Sequence, residues 1–188
     1  MLNHIIFSAN DLHIYNVSEE SNLLKIDGTA AHFNTPNLNG EIVDAKSFEN
    51  FFTLYNDGKL TPALTYNHDA NMLIGGIDKI YIEDDTLRCS AHINKDVAFC
   101  RDTLIPMILA GDVKSYSTEG YVAFSDIEER DNNTYYAGQF LITAISCVTV
   151  PADYQSEFTI KNMYDAEAAK RAIEEEQSRP KRKIYFLV

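Results

Sequence analysis

Gly111-Asp112-Val113-Lys114-Ser115-Tyr116-Ser117-Thr118-Glu119-Gly120-Tyr121 is the stretch that decides how this chain is read. Upstream of it, Val97, Cys100, Leu104 and Ile108 mark one face of a helix for which Asp96 is the expected N-cap. Pro106 interrupts that helix, so a kink or two short helices are expected, and Gly111 suits a left-handed terminator. A strand from Lys114 to Phe124 should follow. Alternation puts Ser115, Ser117, Glu119 and Tyr121 on one face, with Tyr116, Thr118, Val122 and Phe124 on the other. A polar face that begins straight after a helix stop is a natural rim for a site. Taken alone, the local pattern favours a solvent-facing strand edge.

On either side of this stretch the pattern is mostly β. Leu12 to Val17 suggests a short strand and Asn22 to Phe33 a longer one, running into the turn-rich Asn34-Thr35-Pro36-Asn37-Leu38-Asn39-Gly40. Phe48, Phe51, Phe52 and Leu54 stand at helical spacing within Ala45–Leu54. Pro62 to Asn67 is a short apolar run ending at His68. Met72–Ile82 and Thr86–His92 flank Glu83-Asp84-Asp85, a hairpin signal. Thr134 to Val150 reads as one strand, joined to the preceding one by an acidic loop from Ser125 to Asn133 and ended by Pro151, which cannot donate to a sheet ladder.

The expected fold is α+β: a mostly antiparallel, barrel-like sheet with helices around it. Residues 1–164 form the domain, with a core of about 22–160. Residues 165–188 form a helix capped by Asp165, with Glu167–Arg171 and Lys170–Glu174 pairs, then a basic and apolar tail.

Bulk composition excludes several classes. With 188 residues and 45% hydrophobic content, the chain can bury one substantial core. A net charge of -12 argues against a duplex nucleic-acid binder, which needs a cationic face to displace counterions. Cys89, Cys100 and Cys147 follow no C-x-x-C pattern and sit among apolar residues, as buried free thiols would. The opening residues lack a basic, apolar leader, and no run approaches the ~20 apolar residues of a membrane span. A cytosolic protein is expected. Neither a phosphate loop nor a zinc pattern is present, so no cofactor and no metal are expected; His92 and His68 have no third ligand at suggestive spacing.

The chemistry on offer is a serine and a histidine. A serine hydroxyl attacks poorly until a base takes its proton, so the two together are the minimum for acyl transfer. His68 follows Leu64-Thr65-Tyr66-Asn67, and a third segment, Ala144-Ile145-Ser146-Cys147-Val148-Thr149-Val150-Pro151-Ala152, is a mostly apolar strand. His68 could instead belong to a polar turn, Asn67-His68-Asp69-Ala70-Asn71, whose side chains cap backbone groups. Cys147 reads as core, and Tyr135 and Tyr136 as packing or rim residues.

The order of these segments, from Gly28 to about Ile160, resembles the prohead proteases of tailed phages, serine peptidases similar in fold to the herpesvirus assembly protease. The similarity runs through Gly28-Thr29-Ala30, Gly40-Glu41-Ile42-Val43, Ser47-Phe48, the histidine block Tyr66-Asn67-His68-Asp69 with Ile74-Gly75, the nucleophile block Ser117-Thr118-Glu119-Gly120-Tyr121, and the closing Ile145-Ser146-Cys147-Val148 with Pro151-Ala152. That resemblance implies Ser117 as nucleophile and His68 as general base, with Ser115 a decoy on the same face. Many members carry a glutamate at the position of Ala144, and some distant ones an aspartate at that of Ser146. The third member is therefore open among Ser146, Glu119 and Asp69, or absent. Implied substrates are the scaffold and major capsid proteins and the chain's own tail, in the host cytoplasm inside the assembling prohead, with self-association there. Neither nucleic acid nor membrane is an expected partner. The rival expectation is a non-catalytic assembly module that keeps the protease fold.

Overall fold

The computed structural model describes residues 2–9, 13–15, 22–123, 127–136 and 140–150. Eight strands form one curled sheet in the order β1-β8-β11-β5-β6-β7-β3-β2. Their ranges are β1 Leu2–Ala9, β2 His13–Tyr15, β3 Leu23–His32, β5 Ala63–Tyr66, β6 Asp69–Glu83, β7 Thr86–Asn94, β8 Ser115–Ala123 and β11 Leu141–Val148. Every neighbouring pair is antiparallel except β11 with β5, so the sheet is mixed but mostly antiparallel. It curls far enough that the Thr118 hydroxyl on β8 donates to the carbonyl of Ala30 on β3, 2.9 Å away. A second, three-stranded sheet joins β4 (Glu41–Ile42), β10 (Asn133–Tyr136) and β9 (Ile127–Arg130).

The core follows from alternation. On β7, Leu87, Cys89, Ala91 and Ile93 are buried while their neighbours are half-buried, the signature of a sheet packed on one side. Cys100, Leu104 and Ile108 pack beneath it, as their helical spacing implies. The helix carrying them has a π turn, Cys100–Leu104, before α2, Ile105–Ala110; Pro106 falls in the first turn of α2, where a missing N–H is tolerated. Gly111 ends α2 at φ 82°. A 3-10 turn, Ala45–Phe48, leads into α1, Glu49–Asn56. Asp44 and Ser47 cap that turn reciprocally.

Several local expectations are corrected. Val97 is exposed, and Asp96 is not the cap: its backbone N–H donates to the Asn94 side chain, and its carboxylate accepts from Asn22. The stretch from Thr134 to Val150 is two strands in different sheets, because Tyr136 ends the small sheet and Phe140 N–H turns to the Ser47 carbonyl. The acidic segment before it is half of a hairpin, β9–β10, turned by Asp131 and Asn132 in left-handed conformation. Leu2–Ala9, given no structure from sequence, is a full strand beside β8. The helix from Asp165 and the tail after it lie outside the described residues.

Candidate active site

β8 and β11 are the central strands of the site, and both are buried on both faces. One face of the pair turns to the core through Tyr116 and Cys147. The other carries Ser115, Ser117 and Glu119 from β8 opposite Val148, Ser146 and Ala144 from β11, each pair in direct Cα register. A solvent-facing edge is thus not what this strand is: Ser115 and Ser117 are almost wholly buried, and only Tyr121 is exposed. The third strand across is β5, where Thr65 pairs with Ser146.

His68 reaches this face from a hairpin tip. Asn67 and His68 form the two-residue turn between β5 and β6, with φ of 48° and 61°. Two consecutive left-handed residues are what a type I′ turn requires, and asparagine and histidine are among the side chains that tolerate it best. The tip is held against the end of β11 by three bonds. Asn67 N–H donates to the Cys147 carbonyl (3.0 Å), Thr149 N–H donates to Asn67 Oδ1 (3.3 Å), and His68 N–H donates to Ser146 Oγ (3.2 Å). Ser146 Oγ is bonded in turn to Thr65 Oγ1 at 2.5 Å. Backbone strain of about 1–2 kcal/mol per left-handed residue is therefore offset by contacts that fix where the imidazole stands.

The ring meets a carboxylate. His68 Nδ1 lies 3.3 Å from Glu119 Oε2, with side-chain exposures of 24% and 9%. The Nδ1 atom itself is closed to solvent, and its contact with Glu119 is a charge approach rather than an aligned hydrogen bond. An imidazole whose Nδ1 faces a carboxylate keeps its proton there and presents Nε2 as the acceptor. Ser117 lies one two-residue step from Glu119 on the same face, about 6.6–7 Å along the strand. Ser115 is one such step farther away, opposite Val148.

The three third-member candidates part company here. Glu119 stands at the ring. Ser146 holds the backbone of His68 rather than its ring. Asp69 turns away and accepts from the backbone and side chain of Asn71. Ala144, where a carboxylate would be expected, is the direct cross-strand partner of Glu119. His92 pairs with Asp78 at 2.7 Å instead of approaching a metal position. Burial pushes the Cys147 thiol up to about 12, so it stays protonated and unreactive at neutral pH.

A curled, mostly antiparallel sheet thus sets an imidazole against a glutamate on the strand that also bears Ser117, an arrangement compatible with a serine peptidase. The sequence profile of the caudovirus prohead serine proteases matches residues 11–171, and the chain belongs to that family. Among solved structures, the bacteriophage T4 capsid assembly protease, gp21, is similar with a TM-score of 0.64 and 14% identity over 80% of this chain and 99% of that one, a likeness of fold. No curated protein matches the sequence.

Proposed function

We propose that this chain is the endopeptidase of phage prohead maturation, with Ser117 as nucleophile, His68 as general base and Glu119 as the carboxylate that orients it. Its substrates are the scaffold and major capsid proteins, and its own segment from Arg179 to Val188 is a further cleavage target. It acts in the host cytoplasm within the assembling shell, where confinement raises its local concentration and favours self-association. The observation that carries the reading is the His68 Nδ1–Glu119 contact of 3.3 Å on the strand face that also bears Ser117.

The chemistry runs in two halves. Ser117 Oγ attacks the scissile carbonyl carbon as its proton passes to His68 Nε2, and the imidazolium is stabilised by Glu119. The tetrahedral intermediate collapses with cleavage of the C–N bond. His68 gives its proton to the leaving amine, and an acyl ester remains on Ser117. Water then attacks the ester, losing a proton to His68; Ser117 regains it as the acid product leaves. Charge that develops on the carbonyl oxygen is met by backbone N–H groups.

The non-catalytic reading drew its support from Ala144. Glu119 answers it, because a carboxylate reaches the same imidazole from the neighbouring strand. The test is processing of purified scaffold and capsid protein followed by gel and mass spectrometry. Ser117→Ala and His68→Ala should abolish processing, and Ser115→Ala should retain it. Processing by Ser117→Ala at the wild-type rate would overturn the assignment, and an inert wild type would return the chain to the assembly-module class. Full-length chain persisting in mature particles, seen by intact mass, would disprove self-cleavage.

A further inference from the structure

Attack requires the scissile carbonyl to come within reach of the Ser117 side chain. The economical way to bring it there is to add the substrate as an extended segment to a sheet edge, where main-chain hydrogen bonds supply affinity. β8, which carries Ser117, has two edges. One is taken by β11, which is itself paired on its far side with β5, so it cannot leave without splitting the sheet through its middle. The other is taken by β1, which among the described residues pairs with β8 alone and stands at the end of the sheet.

We propose that β1 lies in the track along β8 where the extended backbone of a peptide substrate docks, and that it must leave that track before Ser117 can act. This rests on the protease reading above. Three observations converge on it. The register sets Ser8 directly opposite Ser117, so β1 passes the nucleophile at the point where a scissile residue would stand. Pairing continues without a break from Leu2↔Ala123 to Ala9↔Tyr116, the full length of β1, so the stretch of β8 around Ser117 is covered. Ser117 is only 2% exposed and Glu119 7%, a nucleophile and its supporting carboxylate closed off on every side. With Ser117 so enclosed, a neighbour has to move to admit a substrate carbonyl, and among the described strands beside β8, β1 is the one hydrogen-bonded on one side only, although it also lies against β3. Its release exposes a row of β8 main-chain donors and acceptors to a new strand.

The test is a reversible tether. Leu2→Cys with Ala123→Cys places two thiols on Cα partners at the end of the ladder away from Ser117. Facing residues of an antiparallel pair are about 4.5–5.5 Å apart, within disulfide range. Burial raises the thiols of Cys89, Cys100 and Cys147, so oxidation should act on the introduced pair. With scaffold protein as substrate, oxidation should lower cleavage by at least about tenfold and reductant should restore it, as expected when the competent state is depopulated. Deletion of residues 2–9 should accelerate cleavage, and a synthetic peptide of the Leu2–Ala9 sequence should inhibit the deleted protein competitively. Should the deletion variant fail to fold, the tether decides alone. An oxidised protein that cleaves as fast as its reduced form would overturn the proposal and leave the protease reading standing. A wild type and a deletion variant that are both inert, with folded circular dichroism, would sink both.

Discussion

Replacing Glu119 by glutamine removes one negative charge and almost no volume, so it probes the carboxylate separately from the packing around it. Opposite unit charges at the observed 3.3 Å attract by about 5 kcal/mol at an effective dielectric near ~20. Two facts reduce that figure for the imidazolium formed during acyl transfer. His68 keeps about a quarter of its side-chain surface in water, and a glutamine carbonyl can still accept from Nδ1–H. A loss of about 2–3 kcal/mol is a fair working value, which corresponds to about 30- to 150-fold in kcat/KM. The assay is initial-rate cleavage of a scaffold-derived peptide, with thermal unfolding of the same samples as a control. The loss should fall on kcat more than on KM, since the charge acts on the transition state. Ser146→Ala serves as comparison. It leaves the His68 N–H without its acceptor and the Thr65 hydroxyl without its partner, so it should lower thermal stability by about 1–3 kcal/mol while costing less activity than Glu119→Gln. Cleavage by Glu119→Gln within about threefold of wild type, less than 1 kcal/mol, would refute the idea that this carboxylate orients the base.

Gly120→Ala should disable the site through the backbone. A Cβ at that position would lie 2.1 Å from the Leu141 carbonyl oxygen and 2.6 Å from the Phe140 ring. The carbonyl belongs to the ladder and cannot step aside, so the β8–β11 pairing next to Glu119 should shift and the melting temperature should drop in proportion to a cost of at least about 3 kcal/mol; an unchanged melting curve would contradict this. The native thiols should resist a thiol reagent at pH 8 until the protein unfolds, because burial raises all three and holds Cys147 near about 12. Stoichiometric labelling of the folded protein within minutes would show that they are not enclosed.

Much of the architecture was legible because local chemistry and tertiary context agree. The Glu83-Asp84-Asp85 turn, the Gly111 stop and the buried face of Cys100, Leu104 and Ile108 all follow from residue type and spacing. Failures came where pairing partners lie far along the chain. Leu2–Ala9 contains a short apolar run, Ile5-Ile6-Phe7, but no clean alternation and no adjacent hairpin partner; its mate is more than a hundred residues away on β8. Thr134–Val150 reads as continuous because propensity cannot tell that its two halves join different sheets. Serine, histidine and carboxylate could each be nominated from motif and alternation. Which of Ser146, Glu119 and Asp69 stands beside the His68 ring depends on where the ring is held, and that is set by the left-handed turn and its bonds to β11 rather than by anything local to those residues.

The position of the carboxylate follows from sheet geometry. Ala144 and Glu119 are Cα partners across an antiparallel ladder, so their Cβ atoms stand about 4.5–5.5 Å apart on one face. A glutamate side chain can bridge that difference, and a carboxylate on either strand can therefore meet the same imidazole. On the proposed assignment the role belongs to a place on the sheet rather than to a position in a motif, and the closing strand taken alone looks defective for that reason. The swap can be tested directly. Ala144→Glu by itself sets two carboxylates face to face in a buried spot, and it should lower both stability and activity, since like charges directly opposite each other repel and desolvate together. Combined with Glu119→Gln, the same substitution leaves a single carboxylate and should recover at least about tenfold of the lost rate, equivalent to about 1.4 kcal/mol of transition-state stabilisation. A double variant that is as stable as Glu119→Gln but no faster would mean that only the β8 approach gives the ring its working orientation, and the exchange of strands would then be ruled out.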